Sequence, residues 1–132
     1  ENVATTEVAD TLADFGGIES INIFGVKIPD TEGRAGMAAI VLAKGTAFDR
    51  DAFYAFASEH LPRYAVPLFL RISSEAELTS TFKLRKVDLQ KQGYDPSLVG
   101  EPLYLCDEAA NTYTPLSGDT LSRLNIPAFK AN

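Results

Sequence analysis

Two prolines set five positions apart, Pro62 and Pro67, constrain this chain more than any other feature. They lie in Leu61-Pro62-Arg63-Tyr64-Ala65-Val66-Pro67, followed by the apolar Leu68-Phe69-Leu70-Arg71-Ile72. Each proline fixes its own φ and turns the residue before it away from helical geometry, so no helix can run through the segment. The stretch therefore predicts a stiffened turn pinned by Tyr64, with its apolar ring and single hydroxyl, and then a buried strand closed by Ser73-Ser74. A polar loop to Thr81 is expected next, ending in Lys83 just before a short basic helix over 86–92 that Gly93 stops. A lysine at the mouth of such a loop places a compact cation on a long stem, suited to a phosphate or a carboxylate.

Around that centre the chain alternates helical and strand patterns. Val8, Leu12 and Phe15 follow helical spacing over Ala4–Phe15, with Thr5 as the replacement cap where Ala4 offers none, and Gly16-Gly17 as the stop. Ile18–Ile28 predicts a strand with Ile21 and Ile23 on one face and Phe24, Val26 and Ile28 on the other. Met37–Leu42 predicts a strand covered on both faces, paired with the first as a hairpin. The small residues Gly33, Ala35, Gly36, Ala38 and Ala39 permit close approach of another backbone, read first as tight packing against a helix and second as a ligand contact. Asp49 is an N-cap flanked by Phe48 and Phe53 as a hydrophobic staple, and the helix it opens must end before Pro62. From Tyr94 onward, a strand over 102–106, a polar turn, a strand over 112–116 and a helix capped by Ser117 complete the chain. Leu103, Leu105, Tyr113 and Leu116 are expected to bury one face of that hairpin.

Composition excludes several roles. Net charge is −6 with a pI near 4.7, which argues against a nucleic-acid binder. The longest apolar run, Met37–Ala43, is too short to cross a bilayer, and no secretory leader is expected. Cys106 and His60 are single residues of their types, so neither an intrachain disulfide nor a three- or four-ligand zinc site can be built from them, and no metal ligand set is assigned. Cys106 is expected to pack as a small apolar side chain, and His60 to sit at a helix C-terminus.

Leu-Pro-x-Tyr-x-x-Pro, a strand and a lysine preceded by Thr79, Ser80, Thr81 and Phe82 resemble the C-terminal lobe of adenylate-forming enzymes. Thr-x-Thr-Phe-Lys resembles in particular the fatty-acid transport protein branch, the very-long-chain acyl-CoA synthetases, which commonly has Gly where this chain has Ser80. Glu1–Val8, Glu32–Ala39 and Glu101–Tyr104 resemble the same branch, in the same order along the chain.

The resemblance implies an α+β small domain with an antiparallel or mixed sheet and flanking helices over 1–98, carrying a family-specific hairpin–helix extension over 99–132. It implies a long- or very-long-chain fatty-acid–CoA ligase in which Lys83 supports attack of the acyl carboxylate on the ATP α-phosphate. Pro62, Tyr64 and Pro67 would frame that lysine, and Glu1 and Asn2 would line the CoA channel after the lobe rotates. ATP, CoA and Mg²⁺ belong to the full-length enzyme, with none held tightly by this stretch, because the phosphate loop and acyl tunnel lie in an N-terminal large domain of the same chain. The fragment alone should be inactive. The expected setting is cytoplasmic, leaving room for peripheral membrane association of the full-length enzyme. Two alternatives stay open: a fatty acyl-AMP ligase that loads a carrier protein, and a non-catalytic interaction module with this fold.

Overall fold

The computed structural model describes residues 4–74 and 85–131. In chain order the elements are α1 (Thr5–Leu12), β1 (Ile18–Lys27), β2 (Arg34–Leu42), α2 (Arg50–His60), β3 (Phe69–Ser74), α3 (Lys86–Gln92), β4 (Leu103–Asp107), β5 (Thr112–Pro115) and α4 (Gly118–Arg123). The strands form a mixed sheet in the order β1-β2-β3-β4-β5. Among the described strands only β2 and β3 run parallel, and α2 makes the crossover between them. The other neighbours are antiparallel, including the β1–β2 hairpin that the sequence predicts.

Strand alternation divides the core between two faces. Ile23, Ala38, Ile40, Leu70 and Ile72 pack under Val8 and Leu12 of α1 and Phe53 and Ala57 of α2. Phe24, Val26, Met37, Phe69 and Leu105 pack on the opposite face with Leu89 of α3, Tyr94 and Leu121 of α4. Each of these fully buried large side chains contributes about 1.5–3 kcal/mol. The face assignment of Ile21 and Ile23 against Phe24, Val26 and Ile28 is as the alternation predicts.

Local signals explain the helix ends. The Asp49 carboxylate accepts from the Ala52 amide at 3.0 Å, and the Phe48 and Phe53 rings meet at 5.5 Å, so cap and staple both form. Leu61, ahead of Pro62, is extended at φ −125° and ψ 146° and ends α2. Gly93 ends α3 at φ 52°, a conformation that favours glycine, and an added Cβ there would also collide with the Phe129 ring.

Four expectations need correction. Thr5 is the first residue of α1 and does not cap it; Ala4 holds that place without a side-chain bond, and the Thr5 hydroxyl instead accepts from Lys86 Nζ at 3.3 Å. The helix stops at Leu12, three residues before Phe15, whose ring still packs on Phe53 and Phe56. Gly36 approaches the turn and not a helix: an added Cβ would lie 3.6 Å from Pro67 Cα. The hairpin β4–β5 buries two faces, because Leu103 and Leu105 point to the α3 side while Tyr113 points to the α2 side.

Candidate functional site

The segment from Pro62 to Pro67 folds as a 3₁₀ turn over Arg63–Ala65. Ala65 donates to the Pro62 carbonyl at 2.9 Å, and Val66 to that of Arg63 at 3.3 Å. The turn is then fastened from both sides. Leu68 donates to the Gly36 carbonyl of β2 at 2.9 Å, and Cys106 of β4 donates to the Leu68 carbonyl at 2.8 Å. Pro67 itself is buried, and its carbonyl accepts the Tyr113 hydroxyl at 2.6 Å.

Tyr64 does not pin the turn. It is 60% exposed, and its hydroxyl has no hydrogen-bond partner among the described residues. The structural tyrosine of the turn is Tyr113, which comes from β5 and which the sequence motif does not contain. Burial holds the Tyr113 hydroxyl well above the ordinary phenol range, so it stays a donor at neutral pH.

Beside the turn, Arg63 meets Glu108 through two parallel bonds, Nε to Oε2 at 2.8 Å and Nη2 to Oε1 at 2.6 Å. That hydrogen bonding holds the Glu108 carboxyl below its usual range. Turn and C-terminal segment together border an apolar groove of about 980 Å³, lined by Leu61, Tyr64, Val66, Cys106, Leu124 and Ile126 among others. The half-buried Cys106 thiol is pushed up to about 11, first by burial, and is no nucleophile at neutral pH.

Three residues on from the turn's exit, β3 carries an arginine the sequence reading passed over. Arg71 is 5% exposed and lies on the α3 side of the sheet. Its Nε donates to Glu101 Oε1 at 2.8 Å, its Nη2 donates to the same carboxylate, and its Nη1 donates to Gln92 Oε1 at 2.7 Å. The signal was present. A cation alternating with Phe69 in a strand buried on both faces must find an acid.

The sequence-predicted site is thus only partly in view. Pro62, Tyr64 and Pro67 are described. Lys83, with Thr79, Ser80, Thr81 and Phe82, and the N-terminal pair Glu1 and Asn2, lie outside the described residues. What is described is their frame: β3 runs to Ser74 and α3 begins at Lys86. The amine of Lys86 is engaged by Thr5, and Gln90 Nε2 ties α3 to the Gly25 carbonyl of β1 at 3.1 Å. Among the described residues no group of three or more His, Cys, Asp or Glu side chains could hold a metal ion.

Comparison with known proteins finds homologues over most of the chain. No protein-family model matches the chain. Long-chain fatty acid transport protein 6 of Mus musculus is 42% identical over 124 residues, 94% of this chain and 20% of that protein. Long-chain fatty acid transport protein 3 of Homo sapiens is 45% identical over 124 residues, covering 94% and 18%. The chain is a homologue of the long-chain fatty acid transport proteins. A medium/long-chain-fatty-acid–CoA ligase of Mycobacterium tuberculosis is likewise 45% identical over 115 residues, 87% of this chain and 19% of the ligase. This homologue therefore spans about a fifth of the length of the curated relatives it matches.

Among solved structures, the amide bond synthetase McbA from Marinactinospora thermotolerans superposes with a TM-score of 0.52 at 28% identity, covering 67% of this chain and 18% of that one. A fatty acyl CoA synthetase of Mycobacterium tuberculosis does so with a TM-score of 0.52 at 19% identity over 70% of this chain and 18% of that one, a likeness of fold alone. The fold is the small α+β domain, with its mixed five-stranded sheet, found at the C-terminus of adenylate-forming enzymes.

Proposed function

We propose that this chain is the small C-terminal domain of a long- or very-long-chain fatty-acid–CoA ligase, and that it supplies Lys83 to the adenylation step. The observation that carries the reading is 45% identity over 87% of the chain to a protein that is itself a fatty-acid–CoA ligase. The matched span is about a fifth of each relative, which fits one lobe of a larger enzyme. Residues 1–98 would form the shared lobe and 99–132 the branch-specific extension.

Adenylation brings an anionic carboxylate against the α-phosphate of ATP, so a lysine ammonium placed between them stabilises the charge that develops there. CoA thiol then displaces AMP from the acyl-adenylate. A lysine on a separate small domain can serve the first half and be withdrawn for the second, by rotation of that domain. Glu1 and Asn2 would then face the CoA path. The N-terminal large domain would supply the ATP pocket and the fatty-acyl site. Mg²⁺ neutralises phosphate charge in such chemistry, and we assign it to the large domain. No described helix is long and apolar enough to cross a membrane. We place the domain in the cytoplasm, with peripheral membrane association of the whole enzyme.

The purified chain tests the division of labour. It should melt cooperatively and form no acyl-CoA from fatty acid, ATP and CoA, whereas the full-length enzyme does. Turnover by the chain alone would overturn the two-lobe assignment.

A further inference from the structure

We infer that residues 125–131 form a strap that opens and closes over the end of α3 as a unit of its own, without unfolding of the sheet. The inference is independent of the function proposed above. Asn125, in the left-handed region at φ 59°, turns the chain out of α4 and back toward Gly93 and Tyr94. From there to Ala131 the chain has no helix or strand, and Asn125, Pro127, Ala128, Lys130 and Ala131 are exposed. The Ile126 amide donates to the Leu121 carbonyl at 2.9 Å. The Tyr94 hydroxyl donates to the Pro127 carbonyl at 2.6 Å, and the Phe129 ring meets the Tyr94 ring edge-on at 5.2 Å. Phe129 is seated in the notch that the missing side chain of Gly93 leaves.

Closed, the strap leaves Tyr94 fully buried, stacked on the Phe69 ring at 4.1 Å. Open, it uncovers that pair of rings and takes Ile126 from the wall of the apolar groove beside the turn. One aromatic pair and two hydrogen bonds are a small part of what holds the domain, since each face of the sheet buries several large side chains. A segment tied this lightly opens well before the global transition. Pro127 adds to the effect, because it has no amide to donate to a neighbour. The C-terminus of the chain therefore controls whether the Tyr94 and Phe69 rings are covered.

Native-state hydrogen exchange of the whole chain, followed residue by residue by NMR and corrected for intrinsic rates, is the test. The Leu68 and Cys106 amides, which bond to Gly36 and Leu68 across the sheet, report on the core. The Ile126 amide should exchange more than about 10-fold faster than either, with little dependence on urea. Phe129→Ala should speed Ile126 about 10- to 100-fold and leave Leu68 and Cys106 within a few-fold. Tyr94→Phe, which loses the bond to Pro127 and keeps the ring, should speed Ile126 about 3- to 10-fold, again with the sheet amides unmoved. Exchange of Ile126 at the rate and urea dependence of Leu68 would overturn the inference, since the strap would then open only with the sheet. Equal acceleration of all three amides in Phe129→Ala would overturn it too, and so would failure of that variant to fold. Either result would make Phe129 part of the common core.

Discussion

The Tyr113 hydroxyl donates to the Pro67 carbonyl oxygen across 2.6 Å, 46 residues apart in the chain and out of reach of solvent. It ties the last strand of the sheet to the proline that ends the central turn. Tyr113→Phe leaves that buried carbonyl without its partner, at a cost of about 1–3 kcal/mol. Urea melts should show a lowered midpoint with an unchanged slope. Tyr64→Phe, at an exposed hydroxyl with no bond among the described residues, should stay within about 0.5 kcal/mol of the parent.

These two tyrosines mark where sequence reading succeeds and where it stops. Asp49 with Phe48 and Phe53, Ser117 with Thr120, and Gly93 after Gln92 are signals written within a few residues, and each element forms where its signal lies. The split of β1 between two faces was equally legible, since alternation with period two is a local property. Partners distant in sequence were not legible. The motif offered Tyr64 as the pin because it lay between the prolines, yet the role went to Tyr113. Arg71 and Glu101 are 30 positions apart, so although a buried strand cation implies an acid partner, nothing in the sequence names Glu101 as that acid. The parallel register of β2 and β3, Ala39 opposite Arg71, follows from the α2 crossover and from no single residue.

The extension over 99–132 is built into the sheet. β4 pairs with β3, Leu105 and Tyr113 are fully buried, and Asp107, 1% exposed, meets Arg123 Nη1 at 2.9 Å. Removing Gly100–Asn132 would expose the β3 edge and strip Arg71 of Glu101. Thermal denaturation should show loss of the cooperative transition or a large drop in Tm. An unchanged melt would mean that β4 and β5 contribute nothing to the lobe's stability.

Alkaline pH should weaken the domain. Cys106 is shifted from its ordinary 9.0 to about 11, chiefly by burial, and Tyr113 is shifted upward for the same reason. Between pH 9 and 11 the unfolded chain releases the thiol proton while the folded chain keeps it. Stability therefore falls as pH rises through that window and is untouched by this group below it. Urea midpoints measured from pH 7 to 11 should be flat and then decline, and Cys106→Ala should lessen the decline. At pH 8, alkylation of the native thiol by iodoacetamide should be about 10²-fold slower than in the unfolded chain, following its thiolate fraction.

The central claim is that Lys83 serves adenylation and nothing else. Lys83→Ala in the full-length enzyme should reduce pyrophosphate release about 10²–10³-fold, the usual loss on removing one preorganised electrostatic contact. Thioester formation from preformed acyl-adenylate and CoA should be far less affected. Lys86→Ala, whose amine lies against Thr5, and Lys91→Ala, on the exposed side of α3, should leave adenylation within a few-fold. The two rates for Lys83→Ala, measured side by side, are the most direct test. Loss confined to pyrophosphate release is the result predicted here; unchanged pyrophosphate release would contradict it and leave a non-catalytic interaction module as the better description of this fold.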